Sequence, residues 1–324
     1  MSVPVIDANC SDFTKKVGNV VLWTGVETVN WSLAQFSQAS AFAHSLGIDT
    51  LCVKCQDGGT VWYASQGGLA AVQHAVESQG CGFLPYAYLY GDKFGDLSGE
   101  IAGLKTLMAL NGVVQADMEA EWDGQVGWAQ TLNAAMLPVP GFLSVSTWAD
   151  PALQNWLGVI GALRPCVNSW TPQQYDTVLL NDEGQFPSGL CMAPGLNLPE
   201  AWPGANDPVS AAQTAKNRGH ETVFLWEYQL AQQNPATVKA IVSIMKPAST
   251  TPAPTPTPTP APTPDPLQAE LDAANAEIAS LKQQIATLQA QLGALQTQIA
   301  ALQTHIAQDA DAVAAIAALK VALG

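Results

Sequence analysis

The sequence is poor in charge. Only 12% of its 324 residues are Asp, Glu, Lys or Arg, against 48% hydrophobic residues, a balance that calls for a large buried core. Basic residues are the scarcest: 12 Lys and Arg face 27 Asp and Glu, for a formal net charge of −15, and they form no cluster. Nucleic acid and anionic membrane surfaces are therefore poor partners. No apolar run approaches the roughly 20 residues that cross a bilayer, so membrane insertion is not expected. The opening MSVPVIDANCSDFTKK lacks the basic and apolar stretches of a secretion signal. Synthesis and folding in a cytoplasm are expected, and any work outside the cell or on a virion would need another route out.

Cysteine and histidine are sparse as well. Six cysteines in 324 residues is not the density of a disulfide scaffold, and Cys52, Cys55, Cys166 and Cys191 lie in apolar stretches, so core thiols are expected. Cys52 and Cys55 form a C-x-x-C, but within a strand pattern and without a second such pair or paired histidines, which argues against a zinc or redox site. The four histidines are scattered, so no metal and no cofactor are expected. No G-x-G-x-x-G or phosphate loop follows the first strand.

What is present divides the chain in three. Residues 247–266, PASTTPAPTPTPTPAPTPDP, alternate proline with small polar residues and favour an extended polyproline spacer. From 267 to 324 apolar residues repeat in heptads, Leu271, Ile278, Ile285, Leu292 and Ile299 at a with Leu281, Leu288, Leu295 and Leu302 at d. That spacing predicts a coiled-coil helix and self-association as a dimer or trimer, against the alternative of a lone amphipathic helix folded back on the rest. Asp309 falls at a d position, where burial would loosen the last turns.

Residues 1–246 alternate short β-rich segments with amphipathic stretches. The segments are VVLWTG (20–25), TLCVKC (50–55), FLPYAYLY (83–90), VVQADME (113–119), FLSVSTW (142–148), CVNSW (166–170), LCMAPG (190–195) and TVFLWEY (222–228). Eight strands alternating with helices predict an α/β fold of the (β/α)8 TIM type, with a doubly wound open sheet as the alternative.

The segment VVQADMEAEW, Val113 to Trp122, is an apolar run that turns into spaced acids. Alternation along a strand sends Gln115, Asp117, Glu119 and Glu121 to one side. Converging buried carboxylates repel, and such a cluster persists where it binds a cation or exchanges protons with a substrate; the alternative is a solvated loop with Asp117 alone inside. In a barrel, function gathers at the C-terminal strand ends. There the sequence offers Lys54 and Asp57, Tyr86 and Tyr88, Trp148, Asn168 and Trp170, and Trp226 and Tyr228. Carboxylates ringed by Trp and Tyr suit a sugar, whose C–H faces pack on rings while its hydroxyls need hydrogen bonds.

These residues also carry a resemblance. VKCQDGGTVWY after the second strand looks like the Lys-containing, acid-then-Gly segment of family 25 glycoside hydrolases, the lysozyme-type muramidases. ADMEAEW is similar to their Asp-x-Glu at the fourth strand, a pattern shared with chitinase-type family 18 barrels, and FLWEYQ resembles their closing Trp-x-Tyr. The resemblance, over about residues 20 to 230, implies hydrolysis of a polysaccharide with N-acetylated sugars, peptidoglycan-like or chitin-like. Glu119 would be the acid/base and Asp117, holding the charge beside it, its polarising partner or a substrate-orienting group, with Glu121 the third catalytic carboxylate, nearer the rim. Those muramidases have an Asp on the first strand, where VVLWTGVETVNW offers only Glu27 beyond it; Asp7 supplies one only if nine strands are accommodated. The competing reading is therefore a catalytically inactive barrel on a stalk, a carbohydrate-binding or structural module of a phage tail or virion.

Overall fold

The computed structural model describes residues 8–63, 66–148, 155–174, 186, 191–199 and 207–246; the expected spacer and coiled coil, with Asp7, lie outside them. The strands are β1 (Val20–Trp23), β2 (Thr50–Asp57), β3 (Thr60–Val61), β4 (Gly82–Leu89), β5 (Val113–Met118), β6 (Phe142–Trp148), β7 (Ser169–Gln174), β8 (Gly195–Asn197) and β9 (Val223–Trp226). All but β3 run parallel in the order β1-β2-β4-β5-β6-β7-β8-β9, and β9 pairs back onto β1. The sheet is thus a closed eight-stranded barrel, which removes the open doubly wound alternative. β3 is a short antiparallel flap on β2.

Helices α1 (Ala8–Val17), α2 (Leu33–Ser45), α3 (Leu69–Glu77), α4 (Leu97–Asn111), α5 (Val126–Met136), α6 (Leu157–Leu163), α7 (Pro208–Asn217), α8 (Tyr228–Gln233) and α9 (Pro235–Met245) complete the fold. Local chemistry fixes several of their ends. Ser32 and Gln35 make a reciprocal capping box at the start of α2, Asp207 caps α7 ahead of Pro208, and Gly112 stops α4 at φ +71°.

The sequence pattern does not announce α1, and the helix does something the outer helices do not. Phe13 and Val17 pack with Val21, Leu84, Val113 and Phe224, the inward residues at the N-terminal strand ends, while Thr14 Oγ1 meets Thr222 Oγ1 at 2.9 Å. α1 therefore closes the floor of the barrel. A disulfide between Cys10 of α1 and Cys191, 181 residues apart, fastens it to the segment leading into β8. This corrects the expectation of a core thiol at Cys191. Cys52 and Cys55 are buried free thiols that alternation sends to opposite faces, Cys52 into the barrel and Cys55 into the outer core, which is why the C-x-x-C makes no chelate.

Alternation sorts the two sides of every strand. Leu51, Val53, Ala87, Val114, Ala116, Val145, Trp170, Leu196 and Leu225 face the helical layer. Inside the barrel, above the apolar floor, a neutral polar belt follows. The Gln115 carboxamide accepts from Trp23 Nε1 at 2.6 Å and Cys52 Sγ at 3.2 Å and donates to Thr171 Oγ1 at 3.1 Å. Every one of these groups is buried and paired within the barrel, so the belt is a support for the mouth and not its reactive part.

Candidate active site

The mouth is built from the last inward residue of each strand. β5 contributes Asp117, 8% exposed, and the strand ends one residue later at Met118. Glu119 and Glu121 belong to the turn that follows, so they reach the mouth through that turn and not by strand alternation. They arrive nonetheless. Tyr88 of β4 donates its hydroxyl to Glu119 Oε2 at 3.2 Å and to Glu121 Oε2 at 3.3 Å, and Lys93 Nζ meets Glu121 Oε1 at 3.1 Å.

The group that joins the acids is Gln173 of β7. Its Nε2 donates to Asp117 Oδ1 at 3.0 Å, Glu119 Oε1 at 3.3 Å and Ser146 Oγ at 3.1 Å. One carboxamide thus holds two carboxyl groups at one place. The CVNSW pattern ends at Trp170, but the strand continues through Pro172 to Gln174. Trp170 N–H donates toward β8, so the N–H that Pro172 lacks would have pointed the same way, leaving the pairing with β6 unbroken. The polar alternation Ser169, Thr171, Gln173 was the available signal.

A bulge explains the β2 corner. The register with β4 slips between Lys54 and Gln56, so Lys54 and Asp57, three residues apart, face the same side. Lys54 Nζ then meets Asp57 Oδ1 at 2.9 Å and lies 5.0 and 5.4 Å from the ring centroids of Tyr88 and Trp62. Lys54 is 5% exposed, and an ammonium so buried requires this pairing.

Burial, the largest influence, together with neighbouring Glu119 raises Asp117 to about 8, against the smaller opposing pull of Ser146, Lys54 and Gln173. Of the two carboxyls, Asp117 is thus the one whose ionised form burial disfavours. Glu100, 2% exposed, accepts from Tyr90 N at 2.8 Å and Gly91 N at 2.9 Å. It anchors the loop that carries Lys93, and burial raises it to about 7.

Other sequence candidates fall elsewhere. Tyr86 points inward but is 3% exposed, with its hydroxyl spent on Thr24 O at 3.1 Å; it belongs to the wall below the mouth. Asn168 precedes β7 at the floor end, exchanging hydrogen bonds with the backbone of Leu143. Trp170 is fully buried in the outer core near Phe186. Tyr228 turns outward into α8 against Trp31 and Phe42. Trp226 does face inward, 5.9 Å from Trp23. Trp148 ends β6, and its side chain lies outside the described residues. Among the described residues, no three His, Cys, Asp or Glu side chains are grouped to hold a metal ion.

No family model matches the sequence, and no curated protein sequence matches it. Among solved structures the chain is similar to the family 18 chitinase of Cycas revoluta in complex with allosamidin, at 11% identity over 70% of this chain and 100% of that one, with a TM-score of 0.50. It is similar also to the class V chitinase of Nicotiana tobaccum, at 9% identity over 69% and 98%, with a TM-score of 0.50. A β-mannanase of Streptomyces thermolilacinus, solved with mannohexaose, shares 14% identity over 61% and 76% at a TM-score of 0.45, too distant to add to this. The likeness is one of fold, a TIM barrel. The narrower likeness to lysozyme-type enzymes stays with the short motifs that suggested it.

Proposed function

We propose that the barrel is a glycosidase acting on a polysaccharide with N-acetylated sugars, peptidoglycan-like or chitin-like. The observation that carries this reading is the carboxyl pair Asp117 and Glu119 held by one carboxamide, with Asp117 buried. Glu119 is the acid/base. It donates a proton to the leaving glycosidic oxygen while the N-acetyl oxygen or a water attacks the anomeric carbon, and the Tyr88 hydroxyl fixes its other oxygen. Lys54, Asp57, Trp148, Trp226 and Glu121 are assigned to sugar binding around that pair. The heptads of residues 267–324 support self-association through the C-terminal helix. The Cys10–Cys191 disulfide favours a working life outside a reducing cytoplasm.

The test uses the full chain and its Glu119→Gln variant on insoluble chitin and on peptidoglycan, with released reducing ends as readout. The variant should lose about 10²–10⁴-fold in rate, the usual contribution of a general acid, with an unchanged melting temperature. Full activity in the variant would overturn the acid role. A second reading, a barrel that binds sugar without cleaving it, is favoured by one observation: β1 ends in Trp23 and contributes no acid. It predicts retention on the same polymers by a wild-type protein that releases no reducing ends.

A further inference from the structure

Across the mouth from Asp117 and Glu119 lies a second polar group of residues that the proposed mechanism leaves unused. β5 and β9 are four strands apart in either direction around the barrel, so they stand opposite one another. Glu227 directly follows β9, and Glu27 lies in the turn after β1, the neighbouring strand. One oxygen of each carboxyl reaches the place a Cβ on Gly25 would occupy, so the two carboxyls crowd one point. Glu27 Oε1 is held by Gly25 N at 3.1 Å. Burial first, and Glu27 second, raise Glu227 above the ordinary carboxyl range.

The second observation concerns Asn197, the last residue of β8, paired in register with Trp226. Gly195, two residues earlier, has the Trp23 ring 3.0 Å from the position of its absent Cβ, and Leu196 between them faces the outer core. Alternation thus sends Asn197 into the barrel at the mouth. It is 5% exposed, and neither its Oδ1 nor its Nδ2 has a hydrogen-bond partner. Leaving a buried donor and acceptor both unpaired works against stability. A carboxamide retained under those terms is suited to a partner that arrives from outside.

We propose that Asn197, Glu227 and Glu27 form a second sugar-binding pole, which recognises a neutral pyranose unit presenting a donor and an acceptor side by side, an acetamido group or a pair of vicinal hydroxyls. The hydroxyls donate to Glu227 and Glu27, Asn197 pairs with the unit directly or through one water, and Trp226 lies beside them for the ring's C–H face. The Glu27 and Glu227 carboxyls repel a uronate at this pole. This pole rests on the polysaccharide reading given above and adds selectivity for a neutral unit at this one position.

The experiment is calorimetric titration of the full chain in the Glu119→Gln background, so that probes are not cleaved, with chitohexaose, cellohexaose and hexagalacturonate. Asn197→Leu and Glu227→Gln should each weaken chitohexaose binding by about tenfold or more, the scale of one lost polar contact. Asn197→Leu should keep or raise the melting temperature, because it removes an unpaired buried group. A loss shared by cellohexaose assigns the contact to hydroxyls, and one confined to chitohexaose assigns it to the acetamido group. Hexagalacturonate should not bind. Unchanged binding in both variants overturns this pole alone, as does hexagalacturonate binding as tightly as the neutral probes. If neither Asn197→Leu nor Asn197→Ala folds, Asn197 is structural and the proposal falls. If the parent binds no hexamer at all, the polysaccharide reading itself fails.

Discussion

The two ends of this barrel are made by the same strands under the same alternation, yet their chemistry is opposite. At the floor the inward residues are Val21, Val113 and Phe224, sealed by Phe13 and Val17 of α1, all at 3% exposure or less. At the mouth the inward residues of the same strands and the turns beyond them are Asp117, Glu119, Trp226 and Glu227, with a buried Lys54 and a carboxamide that has no partner. The floor is where burying apolar surface stabilises the chain. The mouth keeps buried polar and charged groups that a core would not retain for stability, so the two ends separate what holds the protein together from what it does.

The largest effect that would sharpen this contrast is at the floor. Phe13→Ala should cost about 3–5 kcal/mol, as aromatic truncations in packed cores do, and lower the melting temperature by roughly 10 °C. Sugar binding at temperatures where the variant is folded should be unaffected. A loss of binding without a loss of stability would mean that α1 is part of the site and would break the division.

Next in size is a dependence on pH. Asp117 titrates at about 8 in the folded protein against an ordinary value of 3.8, and Glu100 at about 7 against 4.5. Between each pair of values the folded chain keeps a proton that the unfolded chain has released, so stability is greatest on the acid side and falls as pH rises. Asp117→Asn should flatten the part of this curve between pH 3.8 and 8, as read by denaturant titration at several pH values. If the curve is unaltered, Asp117 is not the group that holds the proton. In the wild type, any hydrolysis should fall as pH passes above about 8, because a second carboxylate then forms beside Glu119.

The smallest effect is expected from Tyr88→Phe. It removes a hydroxyl shared by Glu119 and Glu121 and should change stability by no more than about 1 kcal/mol, while the rate of hydrolysis falls severalfold because Glu119 is no longer held in place. An unchanged rate would show that Tyr88 acts through its ring, beside Lys54, and not through its hydroxyl.

Much of the barrel is legible in the residues. Phe142–Trp148 reads as a strand from end to end, and the acids after Val113 fall at the mouth as the apolar-to-acid switch implies. Where the reading stopped short, the causes are local. Pro172 hid the second half of β7 and with it Gln173, and the same truncation promoted Asn168 and Trp170 to a strand end they do not occupy. The bulge in β2 could not be read from a period of two, although it is what aligns Lys54 with Asp57.

By itself the sequence determined the alternation of strand and helix, the low charge that requires a large core, and the placement of carboxylates after the fourth barrel strand. These are properties of neighbouring residues, set by backbone periodicity and side-chain type. Tertiary structure alone decided that Gln173 reaches Asp117 across 56 residues, that Cys10 finds Cys191 and that Glu27 crowds Glu227 beside an unpaired Asn197. It also decided that Asp117 is buried deeply enough to raise its carboxyl above the ordinary range. Each depends on which strands become neighbours when the sheet closes and on how much water the closed barrel excludes, and neither quantity is written in any local stretch of the chain.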